Sequence, residues 1–170
     1  MTNGTKRITR LAAFTALALI MSLLESMLPP LIPMLPGAKM GLSNVVALTA
    51  LIILGYTDAL IIQLLRCVLG GIITGGLTGL MFSVPAGMIS LAAMILLYRF
   101  LFPKVSLMGI SFVGAVLHNI VQVGVACLYL GTSQLIAMLP YYVLAGIGAG
   151  LFVGIASYFV VKYLPKKIYM

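Results

Sequence analysis

Long apolar runs, broken only by proline, glycine and a few cations, decide the fold class of this chain. Only 7% of its 170 residues are charged, against roughly 25% in a soluble domain. Mean hydropathy is +1.25, and all the runs but the short second one approach or exceed the roughly 20 residues that an α-helix needs to cross a bilayer. A helix satisfies its own backbone hydrogen bonds, which hydrocarbon cannot do for it. The expected fold is therefore all-α, a polytopic membrane protein with six transmembrane helices. The runs are 11–28, 42–55, 59 into the glycine-rich 70s, 80–101, 105–130 and 135–164. Residues 1–10 form a basic cytoplasmic N-terminus, 11–164 a single six-helix transmembrane domain and 165–170 a cytoplasmic tail.

The net charge of +8, ten Lys/Arg against Glu25 and Asp58, invites a nucleic-acid partner. None is expected, because the cations punctuate apolar runs instead of forming a patch on a soluble surface. With six spans both termini share a side. Lys6, Arg7, Arg10, Arg99, Lys104, Lys162, Lys166 and Lys167, eight of the ten cations, then fall on the N-terminal side. The positive-inside rule makes that side cytoplasmic, so N-in and C-in. Lys39, on the outer side, and Arg66, inside the third run, are the two exceptions. No small-residue cleavage site follows the first run, so no removed signal peptide is expected. Cys67 and Cys127 lie in separate apolar runs and read as small buried hydrophobes, not a disulfide.

The polar and glycine positions mark candidate sites. Pro36-Gly37-Ala38-Lys39-Met40-Gly41-Leu42-Ser43-Asn44 joins the first two runs. Its approach, with Pro29, Pro30 and Pro33 among Leu31, Ile32 and Met34, is too apolar for a loop in water. Residues 29–44 read as a substrate-facing lid and helix entrance, with Pro36, Gly37 and Gly41 setting the turn. Ala12 and Ala16, four apart, give the first helix a smooth face that another helix could approach closely. Glu25 is a candidate partner for Arg66, although straight-helix depths place the two at different levels. A lone arginine in a membrane costs a few kcal/mol or more unless it is paired, snorkels or lines a wet cavity. Gly70, Gly71, Gly75, Gly76 and Gly79 suggest a broken or closely packed helix end near a ligand. Ser83, Gly87 and Ser90 share a face, as do His118, Asn119 and Gln122 near the midplane. Gly146, Gly150 and Gly154 form a small-residue ridge suited to helix packing. One histidine, two scattered cysteines and two distant carboxylates supply no metal site.

Four ordered segments, PGAKMGLSN, LLRCVLGG, FSVPAGMISL and GAVLHNIVQ, resemble the Gx transporter family. That family is also labelled heptaprenyl diphosphate synthase component I and is similar to the substrate-binding S components of energy-coupling factor (ECF) transporters. The resemblance covers nearly the whole chain and implies an S-component-like six-helix bundle with a pocket opening outward under the first loop. It implies that Ala12 and Ala16 face a transmembrane coupling subunit. Its motif positions are Pro36, Gly37, Lys39, Gly41, Asn44, Arg66, His118, Asn119 and Gln122. It also links the chain to flavin-based extracellular electron transfer and quinone metabolism.

Prenyl diphosphate synthesis needs carboxylate clusters to hold Mg²⁺. With two carboxylates 33 positions apart, this chain is not expected to be an enzyme. The leading expectation is a substrate-capture protein of the bacterial plasma membrane. Lys39 and Arg66 would hold a small anion, while Asn44, His118, Asn119 and Gln122 hydrogen-bond its polar part and Ser83 and Ser90 line the wall. No cofactor is expected. No ATPase motif is present, so coupling subunit and ATPases would come from other chains. The alternative is a noncatalytic membrane subunit of a flavin- or quinone-linked electron-transfer system.

Overall fold

The computed structural model describes residues 3–27 and 42–163. Pro36, Gly37, Lys39 and Gly41 lie outside the described residues. Six α-helices run as α1 (Asn3–Met27), α2 (Leu42–Ile53), α3 (Tyr56–Thr74), α4 (Gly76–Leu101), α5 (Leu107–Leu130) and α6 (Leu139–Tyr163). A short 3-10 turn, Gln134–Met138, leads into α6, whose second residue, Pro140, suits a first helical turn because no N–H is needed there. The chain is thus an all-α, multi-pass bundle, as its apolar runs imply. Among the described residues five segments are long and apolar enough to cross a membrane; Leu42–Ile53 is shorter.

Glycine makes two of the reversals. Gly55 (φ 93°) precedes α3 and Gly76 (φ 58°, ψ −142°) separates α3 from α4. Both are in the left-handed region that glycine tolerates without steric cost. The first turn therefore pivots at Gly55, not at Tyr56-Thr57-Asp58, and Asp58 sits inside the first turn of α3. A carboxylate there is favoured by the helix dipole. After Gly76 the two legs touch: a Cβ on Gly79 would lie 2.7 Å from the Gly71 carbonyl oxygen. The glycine cluster is thus both a break and a close approach, as its sequence suggests.

Cross-helix contacts fix the direction of each helix. Arg7 Nη2 meets Asp58 Oδ1 at 2.6 Å, joining the starts of α1 and α3. The Tyr56 and Tyr98 rings, 6.4 Å apart, join the start of α3 to the end of α4. Gly154 lies against Met108, so α6 ends where α5 begins. The helix ends bearing Arg7, Arg10, Arg99 and Lys162 therefore share one end of the bundle, the end that the positive-inside rule assigns to the cytoplasm.

At 12 residues, α2 is only about 18 Å long, yet it is the centre of the fold. Val46, Ala47, Leu48, Thr49, Ala50 and Leu51 are all buried. Val46, Leu48, Ala50 and Leu51 pack with Ala18 of α1, Ala59 and Ile62 of α3, Leu91 and Met94 of α4, Ile110 of α5 and Val153 of α6. The outward faces of the long helices stay apolar, with Ile20, Leu65, Leu96, Leu128 and Leu144 exposed, as a lipid-facing surface requires. Ser90 Oγ donates to the Gly114 carbonyl at 2.7 Å. It is spent on α4–α5 packing and does not line the pocket wall expected of it.

Candidate functional site

The polar residues that interrupt apolar helices converge on one interior region. An inner chamber of about 40 Å³ is lined by Glu25 of α1, Ser43 and Asn44 of α2, and Arg66 of α3. Ala115, His118, Asn119 and Gln122 of α5 and Ala149 and Val153 of α6 complete it. An adjoining chamber of about 200 Å³ lies along the α3–α4 hairpin, lined by Ser22, Gly70, Gly71, Thr74, Gly79, Phe82 and Ser83. Arg66, His118 and Gln122 line it as well.

The sequence placed Lys39, which lies outside the described residues, with Asn44, Arg66, Ser83, His118, Asn119 and Gln122 in one site. Of the described ones, the structure brings all but Ser83 to the inner chamber and puts Ser83 in the adjoining one. His118 and Gln122 share a face because they are one helical turn apart. Asn119 also contributes to the framework, since its Nδ2 donates to the Tyr142 carbonyl at 2.7 Å and ties α5 to the start of α6. Ser43 was not foreseen, and Glu25 was weighed only as a partner for Arg66. Glu25 is 7% exposed and reaches the inner chamber despite the depth difference, which counts axial rise but not side-chain reach. A carboxylate within a membrane helix was itself the available signal.

Arg66 dominates the electrostatics. It is 6% exposed, and its Nε and Nη2 have no hydrogen-bond partner among the described residues. Gln122 Oε1 is likewise buried without a partner there. The Arg66 guanidinium brings a positive charge and a fork of N–H donors into the interior of the bundle. The first turn of α2 adds to this field. Ser43 and Asn44 belong to that turn, and the N–H groups of a helix start carry partial positive charge that favours an anion. Arginine and helix start together make a pocket suited to a carboxylate or phosphate oxygen.

The docking face expected on α1 is open: Ala12 and Ala16 are both exposed. Gly146, Gly150 and Gly154 face inward against α5, as their spacing predicts.

Fold and site together define a multi-pass helical membrane protein with a polar cavity between its helices that holds Arg66 and Glu25. The family model of heptaprenyl diphosphate synthase component I matches residues 14–160, and the chain belongs to that family. No curated protein and no solved structure matches it.

Proposed function

We propose that this protein is the substrate-binding, S-component-like subunit of an ECF-type transporter in a bacterial plasma membrane. It captures a small anionic compound, of a vitamin, cofactor or isoprenoid/quinone-precursor kind, from outside the cell. The observation that carries this reading is Arg66, a positive charge held in the bundle with donors unused by the described residues. Leaving a charge so placed costs several kcal/mol, and an anionic ligand recovers that cost on binding. Synthase chemistry in this chain has little support. Of its two carboxylates, Asp58 is bound to Arg7 at one end of the bundle while Glu25 lines the inner chamber, so the pair cannot grip one Mg²⁺–diphosphate.

Native mass spectrometry of the purified protein tests the reading directly. A retained small anion, lost from the Arg66→Gln variant, is the expected result. A retained flavin or quinone whose binding ignores Arg66 would instead favour the electron-transfer subunit.

Energy for transport would come from partner chains, and the exposed Ala12 and Ala16 fit a helix of a coupling subunit. Small side chains permit the close backbone approach on which helix association in lipid depends. Ala16→Leu should then abolish co-purification of that subunit from the source membrane. The variant's own thermal unfolding should stay unchanged, because residue 16 is exposed in the isolated chain. Undiminished co-purification would remove α1 from the interface.

A further inference from the structure

The two chambers differ in chemistry. The inner one contains a carboxylate, Glu25, beside Arg66. Among the described residues the hairpin chamber has no acidic residue in its lining, which is made of hydroxyls, glycine backbone, the Phe82 ring and the Arg66–His118–Gln122 wall. Ser22 is 7% exposed, and the Ser22 and Ser83 hydroxyls form no hydrogen bond with described residues. Thr74 Oγ1 donates to the Gly70 carbonyl at 2.8 Å and keeps its lone pairs free to accept. Phe82 is steadied edge-to-face by Tyr129, with ring centroids 5.8 Å apart. Arg66 Nε and Nη2 and Gln122 Oε1, on the same lining, are buried without a partner among the described residues. Buried polar groups left unbonded are costly, so the cavity suits an occupant that bonds to them and to the hydroxyls.

Placement adds a direction. The lining runs from Arg66 to Thr74, about 12 Å along α3, and ends beside the Gly76 reversal. That reversal is at the end of the bundle opposite the Arg7–Asp58 pair. Arg66 is therefore at the end of this lining farther from the hairpin.

We propose that the hairpin chamber is a second subsite, through which an elongated anion reaches Arg66 and in which its uncharged, hydrogen-bonding end comes to rest. The inference rests on the anion-capture reading above. It adds the shape of the ligand, an acid group at one end and neutral hydroxyl, carbonyl or amide groups at the other, and it adds the route of access. Charged groups at that second end would be desolvated with no counter-charge, which the lining disfavours.

The test needs no knowledge of the ligand. In a background of Cys67→Ala and Cys127→Ala, single Ser83→Cys, Ser90→Cys and Ser133→Cys variants are purified in detergent. Each is treated with an anionic (sulfonatoethyl) or a cationic (trimethylammonioethyl) methanethiosulfonate. Ser133, in an exposed turn, normalises the intrinsic reactivity of the reagents. Ser90, 1% exposed, reports what closed packing does. Ser83→Cys should react at least about 10-fold faster than Ser90→Cys, and about 10-fold faster with the anionic reagent than the cationic one, equivalent to about 1.4 kcal/mol of field. Adding Arg66→Gln should erase the charge preference and leave the access. Labelling of Ser83→Cys as slow as that of Ser90→Cys overturns the passage. Fast labelling without charge preference, or a preference that survives Arg66→Gln, overturns the anion route while leaving the chamber open.

Discussion

Replacing Arg66 by methionine should make the empty protein more stable and leave it unable to hold its ligand. The guanidinium is 6% exposed, with Nε and Nη2 unbonded among the described residues, so the folded state bears a desolvation cost that methionine of similar length does not. Exchanging all the buried ionic groups of a site for uncharged ones of similar volume is commonly neutral or stabilising by about 1–4 kcal/mol. The comparison is therefore made in a Glu25→Gln background, which removes the carboxylate that shares the inner chamber. In a domain of this size each kcal/mol moves the midpoint by roughly 2–4 °C. Thermal unfolding of ligand-free Arg66→Met in detergent should thus rise by several degrees, while native mass spectrometry finds no retained anion. Arg66→Lys should sit between the two, keeping the charge but losing the planar fork that grips an oxyanion with two parallel bonds. A residue held for structure behaves in the opposite way. A lower midpoint with ligand retention intact would assign Arg66 to the framework and remove the central support for anion capture.

The same residue shows what local pattern can and cannot reveal. Arg66, His118, Asn119 and Gln122 stood out because polar side chains inside apolar runs are expensive, and helical spacing put the last three on one face. That they meet Asn44 follows from the depth at which α2 begins, and no local pattern encodes that. The chamber wall at Ser43 and the reach of Glu25 were hidden for the same reason. Both depend on how α1 and the short α2 pack against α3. The hydroxyl stripe on α4 divided for a reason that spacing alone cannot supply. Ser83 faces the hairpin chamber, while Ser90, two turns on, meets the Gly114 carbonyl of α5 and is consumed there. Chain reversal was partly legible. Glycine clustering marked the α3–α4 break, but only the backbone shows that Gly76 alone leaves the helical region within that segment.

Packing in this bundle depends most on a feature with no polar chemistry. Gly146, Gly150 and Gly154 repeat every fourth residue along α6 and meet Val116, Phe112 and Met108, which repeat every fourth residue along α5. The two backbones run together over about 12 Å. A Cβ on Gly150 would lie 2.7 Å from the Phe112 Cα, and one on Gly154 would lie 2.7 Å from the Met108 Cα. Backbone cannot rotate away as a side chain can, so a larger residue must push the helices apart along their length. In lipid no hydrophobic force draws them back, because packing itself supplies the association energy. Gly150→Leu should therefore cost at or beyond the roughly 3 kcal/mol upper range of overpacking. It should also move Asn119, whose bond to the Tyr142 carbonyl crosses the same seam. Gly148 is the internal control: on the same helix, a Cβ there meets nothing within 4 Å. Gly148→Leu should leave the midpoint close to native and ligand retention intact, whereas Gly150→Leu should lower the midpoint by about 6 °C or more and abolish retention. Equal effects from the two substitutions would mean that glycine serves α6 through general helix properties, not through its contact with α5.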